Sequence, residues 1–447
     1  MCLTCQTPFG KIPDTHKWTF MKSLILLLIT INVLANNQDL DKELSRYIEQ
    51  FNFKPVSIVK GKNVALYQLG EALFFEEAIS GNKNISCATC HDPEFGTSDA
   101  LPTSIGEGGV GVGDKRVATS SHQIVPRNSP SLYNIGAEAL SFMFWDGRVH
   151  YSKRRLEFTT PEPGLNGDYP EFYEIVDELD SALAAQALFP IASHDEMRGV
   201  VGTNELADAK SNLELWQAVM KRLMMMPKYQ KLFKAAFNVN SLEDFNIGHF
   251  GKALGHYQKF AFVVAQTPWD KYLRGDKNAM SIEEKKGAIT FATSGSCANC
   301  HNGELLGGVN FFNVVAPQTG PGKDIKHNDE GLFLTTGTDQ HRYLFKVPML
   351  RNVAKTAPYF HSGAYASIEQ VIEHYSTGPN AIDNYDFKIL APFEKNNYKE
   401  RLFVETDRYM LFRKKNTAHP LIKSHMIRLT SEEKRLIAIF LKKALTE

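Results

Sequence analysis

Cysteine is scarce in this chain, six among 447 residues, and tryptophan is scarcer still, with four. So few thiols cannot build the disulfide lattice of a small secreted scaffold, and a chain this long does not need one. Neither sign of charge is in excess: 50 lysines and arginines stand against 50 aspartates and glutamates. That balance argues against a broad basic face of the kind that binds nucleic acid or an anionic membrane. No apolar run is long enough to span a bilayer. The run Ser23 to Ile31, after Met21-Lys22, has the length of a signal-peptide core, and Val33-Leu34-Ala35 offers small residues for cleavage before Asn36. Residues 21–35 are therefore expected to be a secretory signal, and residues 1–20, with Cys2 and Cys5, a non-native upstream extension. The mature chain is expected to be exported and to carry no membrane span.

The other four cysteines sit in two copies of one pattern. Cys87-Ala88-Thr89-Cys90-His91 and Cys297-Ala298-Asn299-Cys300-His301 are both Cys-x-x-Cys-His, the attachment signature of c-type haem. Each supplies two thiols for the porphyrin vinyl groups and a histidine for the iron. A zinc site would want four convergent ligands, and a thioredoxin-like redox pair does not need the following histidine. Two covalent haems are expected.

Helical signals dominate the rest. Ser281 to Glu284 and Thr430 to Glu433 read as capping boxes, the second opening a stretch with apolar residues at Leu436, Ile439, Phe440 and Ala444. Strand-like alternation is scarce, and turn-rich loops run from Gly106 to Gly113 and from Pro317 to Gly322. Each haem motif follows a helical stretch, Leu66 to Phe75 and Ile282 to Phe291. The expected fold is all-α, two cytochrome c-like haem domains in tandem with long loops, at residues 36–272 and 273–447, the seam falling near Pro268 to Asn278.

Leu69-Gly70 with Leu73-Phe74-Phe75, both haem motifs, Arg127-Asn128-Ser129-Pro130-Ser131-Leu132, Phe144-Trp145-Asp146-Gly147-Arg148, Leu350-Arg351-Asn352-Val353 and Thr356-Ala357-Pro358-Tyr359-Phe360-His361 follow one another along the chain. Together they resemble the bacterial di-haem cytochrome c peroxidase family, which includes the MauG-like enzymes. The resemblance implies unequal haems: the one on His91 meets peroxide and the one on His301 relays electrons. Gln186 and Glu196 match the family's distal pair; a carboxylate there can carry a proton from the near to the far peroxide oxygen. Trp145 matches the tryptophan between the haems, and Asn128, Thr356 and Pro358 match an inter-domain calcium site. Hydrogen peroxide is the implied substrate and a small cytochrome c or copper protein the implied donor, in the periplasm, with a homodimer compatible.

Three departures stand out. Where many members place a removable distal histidine, this chain reads Ser104-Ile105-Gly106-Glu107; His122 lies further along. Where a methionine commonly completes the second haem, it has Tyr375, as in the MauG-like branch, with Met349, Met426 and His374 as rival ligands. The segment Val149 to Ala182 separates the tryptophan from the distal glutamine and offers a lid or a donor surface. A peroxidase is the leading expectation; a MauG-like enzyme oxidising side chains of a partner protein is the runner-up. A plain electron carrier is disfavoured by Gln186 and Glu196.

Overall fold

The computed structural model describes residues 37–119, 124–239, 241–324, 326–383, 385–388 and 404–447. The expected upstream extension, the signal segment and His122 lie outside the described residues.

Two helix pairs organise the chain in parallel ways. Val64–Phe74 is capped by Asn63, whose side chain accepts from the Leu66 amide at 3.1 Å. It crosses Ile247–Ala261 at Gly70, where a Cβ would stand 2.1 Å from the Ala253 carbonyl, so only glycine permits the approach. Ile282–Ala292 opens with the Ser281/Glu284 capping box and crosses Ser431–Ile439, itself opened by the Thr430/Glu433 box. There the close approach is at Gly287, whose Cβ would stand 2.2 Å from the Leu436 carbonyl. In both pairs the first helix leads into a haem motif and the second comes later in the chain.

Each pair has its own apolar core. The first gathers Leu69, Leu73 and Phe74 with Phe250, Leu254 and Tyr257; the second gathers Trp269, Phe291, Ile437 and Phe440. Burying one such side chain stabilises the fold by about 1.5–3 kcal/mol. Along the chain the division between the cores falls between Ala265 and Trp269, except that Leu305 packs back on the first core. Leu44 and Phe53 belong to the second core although they precede the first in sequence. The helix over residues 37–50 is fastened there by Asp41, which accepts from the Tyr272 hydroxyl and pairs with buried Lys285, both at 2.7 Å.

Two small sheets complete the architecture. β1 (Phe142–Met143), β2 (Val149–Ser152) and β3 (Glu157–Thr159) are antiparallel in that order, and β4 (Phe311–Phe312) pairs antiparallel with β5 (Phe345–Lys346). Val149 to Ala182 is thus partly a hairpin continuing the strand beside Trp145, followed by short helical turns. Among the described residues no helix is long and apolar enough to cross a membrane.

One ion-pair cluster ties the halves together. Arg127 donates through Nε and Nη2 to Asp329 at 2.6 and 2.8 Å and through Nη1 to Asp146 at 2.5 Å; Asp146 also accepts from Arg148 at 3.1 Å. Burial alone would raise the Asp329 carboxyl, but the Arg127 guanidinium outweighs it and holds it well below the usual carboxylate range.

Candidate active site

The sequence motifs open into two cavities that share a wall. Cys87, Cys90 and His91 line the first with Gln186 and Glu196; Cys297, Cys300 and His301 line the second with Tyr375. Trp145, Lys346, Val347, Pro348, Val353, Tyr359 and Phe360 line both.

The proximal sides are alike. His91 Nδ1 lies 3.1 Å from the Thr97 carbonyl and His301 Nδ1 lies 2.9 Å from the Leu306 carbonyl. A backbone carbonyl that accepts a hydrogen bond from Nδ1–H leaves the other nitrogen's lone pair free for a metal. Burial pushes both rings down to about 4, keeping them in the neutral form an iron requires. In each half a proline carbonyl, Pro130 or Pro348, also acts on the ring. The four cysteines form no disulfide. Burial pushes the thiols of Cys87 and Cys297 up to about 12 and that of Cys300 up to about 11. The residues present therefore fit a covalently attached porphyrin in each cavity.

The remaining faces differ. In the first cavity Gln186 ends the Ala182–Gln186 helix, whose Ser181 cap accepts from the Ala184 amide at 3.2 Å. Glu196 lies in the turn His194–Arg198, and its backbone is pinned on both sides: Glu107 N donates to the Glu196 carbonyl at 2.7 Å, and Gly81 N to the Met197 carbonyl at 2.8 Å. Burial raises the Glu196 carboxyl above its ordinary range, against the pull of Arg148 and Lys323. Both cations line this cavity, and the Arg148 guanidinium rests 3.4 Å over the Phe144 ring. The stretch Ser104 to Glu107 supplies no histidine; Ser104 lines the cavity while Glu107 accepts from Asn82 at 2.8 Å and Asn84 at 3.0 Å.

In the second cavity the rival ligands separate. Tyr375 lines it, and burial pushes its phenol up. Its neighbour His374 has both ring nitrogens engaged, Nδ1 with the Tyr365 hydroxyl at 2.9 Å and Nε2 with the Val314 carbonyl at 2.8 Å. Met349 lines the other cavity, and Met426 is 65% exposed.

Trp145 donates its indole Nε1–H to the Asn128 carbonyl at 2.9 Å, and its own carbonyl accepts from Lys346 N at 2.9 Å. Asn128, Thr356 and Pro358 all line the first cavity. The Asn128 amide donates to the Leu101 carbonyl at 2.8 Å, and the Thr356 hydroxyl to the Val353 carbonyl at 3.1 Å. Among the described residues no cluster of three or more His, Cys, Asp or Glu side chains could hold a metal ion. A cation at these three positions would depend on amide and carbonyl oxygens, which suit a hard ion such as calcium.

Sequence reasoning passed over Lys323, Lys346 and Lys414, all of them cavity-lining lysines. It quoted Arg148 in a motif without giving it a role. Nothing local marks a lysine as buried, and the expectation for that residue is exposure.

Cytochrome c551 peroxidase of Nitrosomonas europaea is 30% identical over 322 residues, covering 72% of this chain and 75% of that protein. The chain belongs to the di-haem cytochrome c peroxidase family. The family's sequence profile, described as di-haem cytochrome c peroxidase, matches residues 64–278. Methylamine utilization protein MauG of Methylorubrum extorquens is 29% identical over 341 residues, 76% of each chain. In fold, the chain is similar to the diheme peroxidase BthA of Burkholderia thailandensis, with a TM-score of 0.59 at 18% identity, covering 88% of this chain and 90% of that one.

Proposed function

We propose that this protein is an exported peroxidase that reduces hydrogen peroxide to two waters, using two protons and two electrons delivered by a small cytochrome c or copper protein. The observation that carries this is the asymmetry of two otherwise matched cavities: among the described residues only the first has a carboxylate in its lining, Glu196, together with the Gln186 amide.

When bound, the haems would supply one-electron redox chemistry at two iron centres. His91 and His301 would hold the irons, and Cys87 with Cys90 and Cys297 with Cys300 would anchor the porphyrins. The Glu196 carboxylate would take a proton from one peroxide oxygen and give it to the other, so that O–O cleavage releases one water, while two electrons and two protons from solvent convert the remaining oxygen to the second. The Gln186 amide holds the oxygen in place by hydrogen bonding. Arg148 and Lys323 oppose the effect of burial on Glu196, which on balance stays raised. Trp145 in the shared wall shortens the electron path from the second cavity to the first.

The two cores and the paired glycine crossings support two cytochrome c-like units in tandem, with the seam between Ala265 and Trp269 and residues 44 and 53 packed on the second unit. Calcium at Asn128, Thr356 and Pro358 would brace the wall against which Trp145 is hydrogen-bonded. Covalent haem attachment belongs on the oxidising side of the membrane, which supports a periplasmic location.

A second reading, MauG-like oxidation of a partner protein's side chains, is favoured by one observation. Tyr375 lines the second cavity, where Met349 and Met426 do not. A tyrosinate on that iron would favour its oxidised state. Steady-state assays of the two-haem protein separate the readings: rapid peroxide-dependent oxidation of a reduced small cytochrome supports the first, and its absence alongside peroxide-driven modification of a protein substrate supports the second.

A further inference from the structure

Two buried nitrogens of the second cavity, Lys414 Nζ and His361 Nε2, have no hydrogen-bond partner among the described residues. Lys414, on the helix Arg408–Asn416, is 3% exposed, and its Nζ makes no hydrogen bond. It stands 5.5 Å from the centroid of the Tyr343 ring. His361 is also 3% exposed; its ring stacks on Phe345 with centroids 3.5 Å apart, and its Nε2 makes no hydrogen bond. Both side chains line the cavity that holds Cys297, Cys300 and His301.

Among the described residues, the two carboxylates that act on Lys414 are engaged elsewhere. Asp329 is engaged by Arg127 at 2.6 and 2.8 Å, and Glu405 accepts from the Asp407 amide at 2.7 Å. Burial pulls the Lys414 ammonium down to about 8 and His361 down to about 3. At neutral pH the lysine is therefore still mostly charged and the histidine neutral, with a ring N–H to give. A buried cation and a buried donor facing one space call for an anion there.

We propose that Lys414 is the counter-cation of the haem held by Cys297, Cys300 and His301, its ammonium pairing with a propionate carboxylate of that porphyrin while His361 donates to the same edge. This rests on the reading of the second cavity as a haem seat. A positive charge beside the porphyrin favours uptake of an electron. Lys414 thereby offsets the oxidised-state preference that a Tyr375 ligand would impose, and keeps the relay haem reducible by a mild donor.

Spectroelectrochemical titration of both haems in the wild type, Lys414→Met and Lys414→Arg tests this, with mass spectrometry to count haems in each. The expected result is two haems throughout, a lower potential for the His301 haem alone in Lys414→Met, and recovery in Lys414→Arg. Two haems with an unmoved His301-haem potential in Lys414→Met would overturn the proposal, as would an equal shift of both haems. If Lys414→Met loses its haem, Lys414→Gln decides: a lowered potential supports the pairing and an unchanged one rejects it. A wild-type potential that tracks phosphate concentration would replace the propionate with a free anion and also reject it. Absence of haem from Cys297 and Cys300 in the wild type would instead overturn the functional reading beneath it.

Discussion

The indole of Trp145 is tied at 2.9 Å to the carbonyl of Asn128, so the ring in the wall between the cavities is fixed by the segment proposed to hold calcium. Trp145→Phe keeps an aromatic ring but leaves that carbonyl without its donor, at a cost of about 1–3 kcal/mol. Both haems should be retained while electron transfer between them slows. Stopped-flow reduction of the second haem, followed by the first, measures it; an unchanged inter-haem rate would remove the relay role.

Glu196→Gln should keep both haems and lose turnover by roughly a hundred- to ten-thousand-fold, the contribution of a positioned acid–base group. Burial raises this carboxyl. In the wild type the acid limb of the pH–rate profile should therefore lie above the ordinary glutamate value of about 4.3. The limb should vanish in the glutamine variant. A variant with wild-type turnover would take the proton step away from Glu196.

Arg127 faces two buried carboxylates, and Arg127→Met leaves Asp329 unpaired while Asp146 keeps Arg148, which should destabilise the protein by about 3–5 kcal/mol. The pH response should also change sign. In the wild type Asp329 sits below its unfolded value, so its contribution is present above about pH 4 and is lost as pH falls further. In the variant, burial without the guanidinium raises the Asp329 carboxyl, so stability should increase as pH falls from neutral towards about 5. Thermal melts across that range check it; parallel curves for the two proteins would contradict it.

How much of this was legible beforehand varied by residue. The helices after Ser281 and Thr430 were readable because a capping box is local chemistry, and the haem motifs because five consecutive residues carry the function. The sheet from Phe142 to Thr159 was not, since strands of two to four residues are too short to show alternation. The Arg127–Asp329 pair spans 202 positions, and sequence gives no sign of such a contact. His374 and Tyr375 are consecutive on one helix, so they point about 100° apart. Only the packed structure shows which one enters the cavity.

Because Ser104 to Glu107 brings no histidine to the first cavity, the haem on His91 should be high-spin and peroxide-reactive in the resting ferric enzyme. Tyr375→Phe should alter the low-spin spectrum and leave that of the His91 haem nearly intact. Electron paramagnetic resonance of the oxidised proteins records both. A low-spin His91 haem lost in His122→Ala would identify a distal histidine after all, and a low-spin spectrum disturbed by Met426→Ala or Met349→Ala instead of Tyr375→Phe would reject tyrosinate ligation.

The central claim is that two unequal haem sites act together on one peroxide, and it is tested most directly by reducing both haems anaerobically and adding a single equivalent of hydrogen peroxide. The account predicts that both haems are oxidised together by that one equivalent, each giving up one electron, and that Glu196→Gln slows this without changing its stoichiometry. Oxidation of only one haem per peroxide, or of neither, in a protein shown to carry both would contradict it.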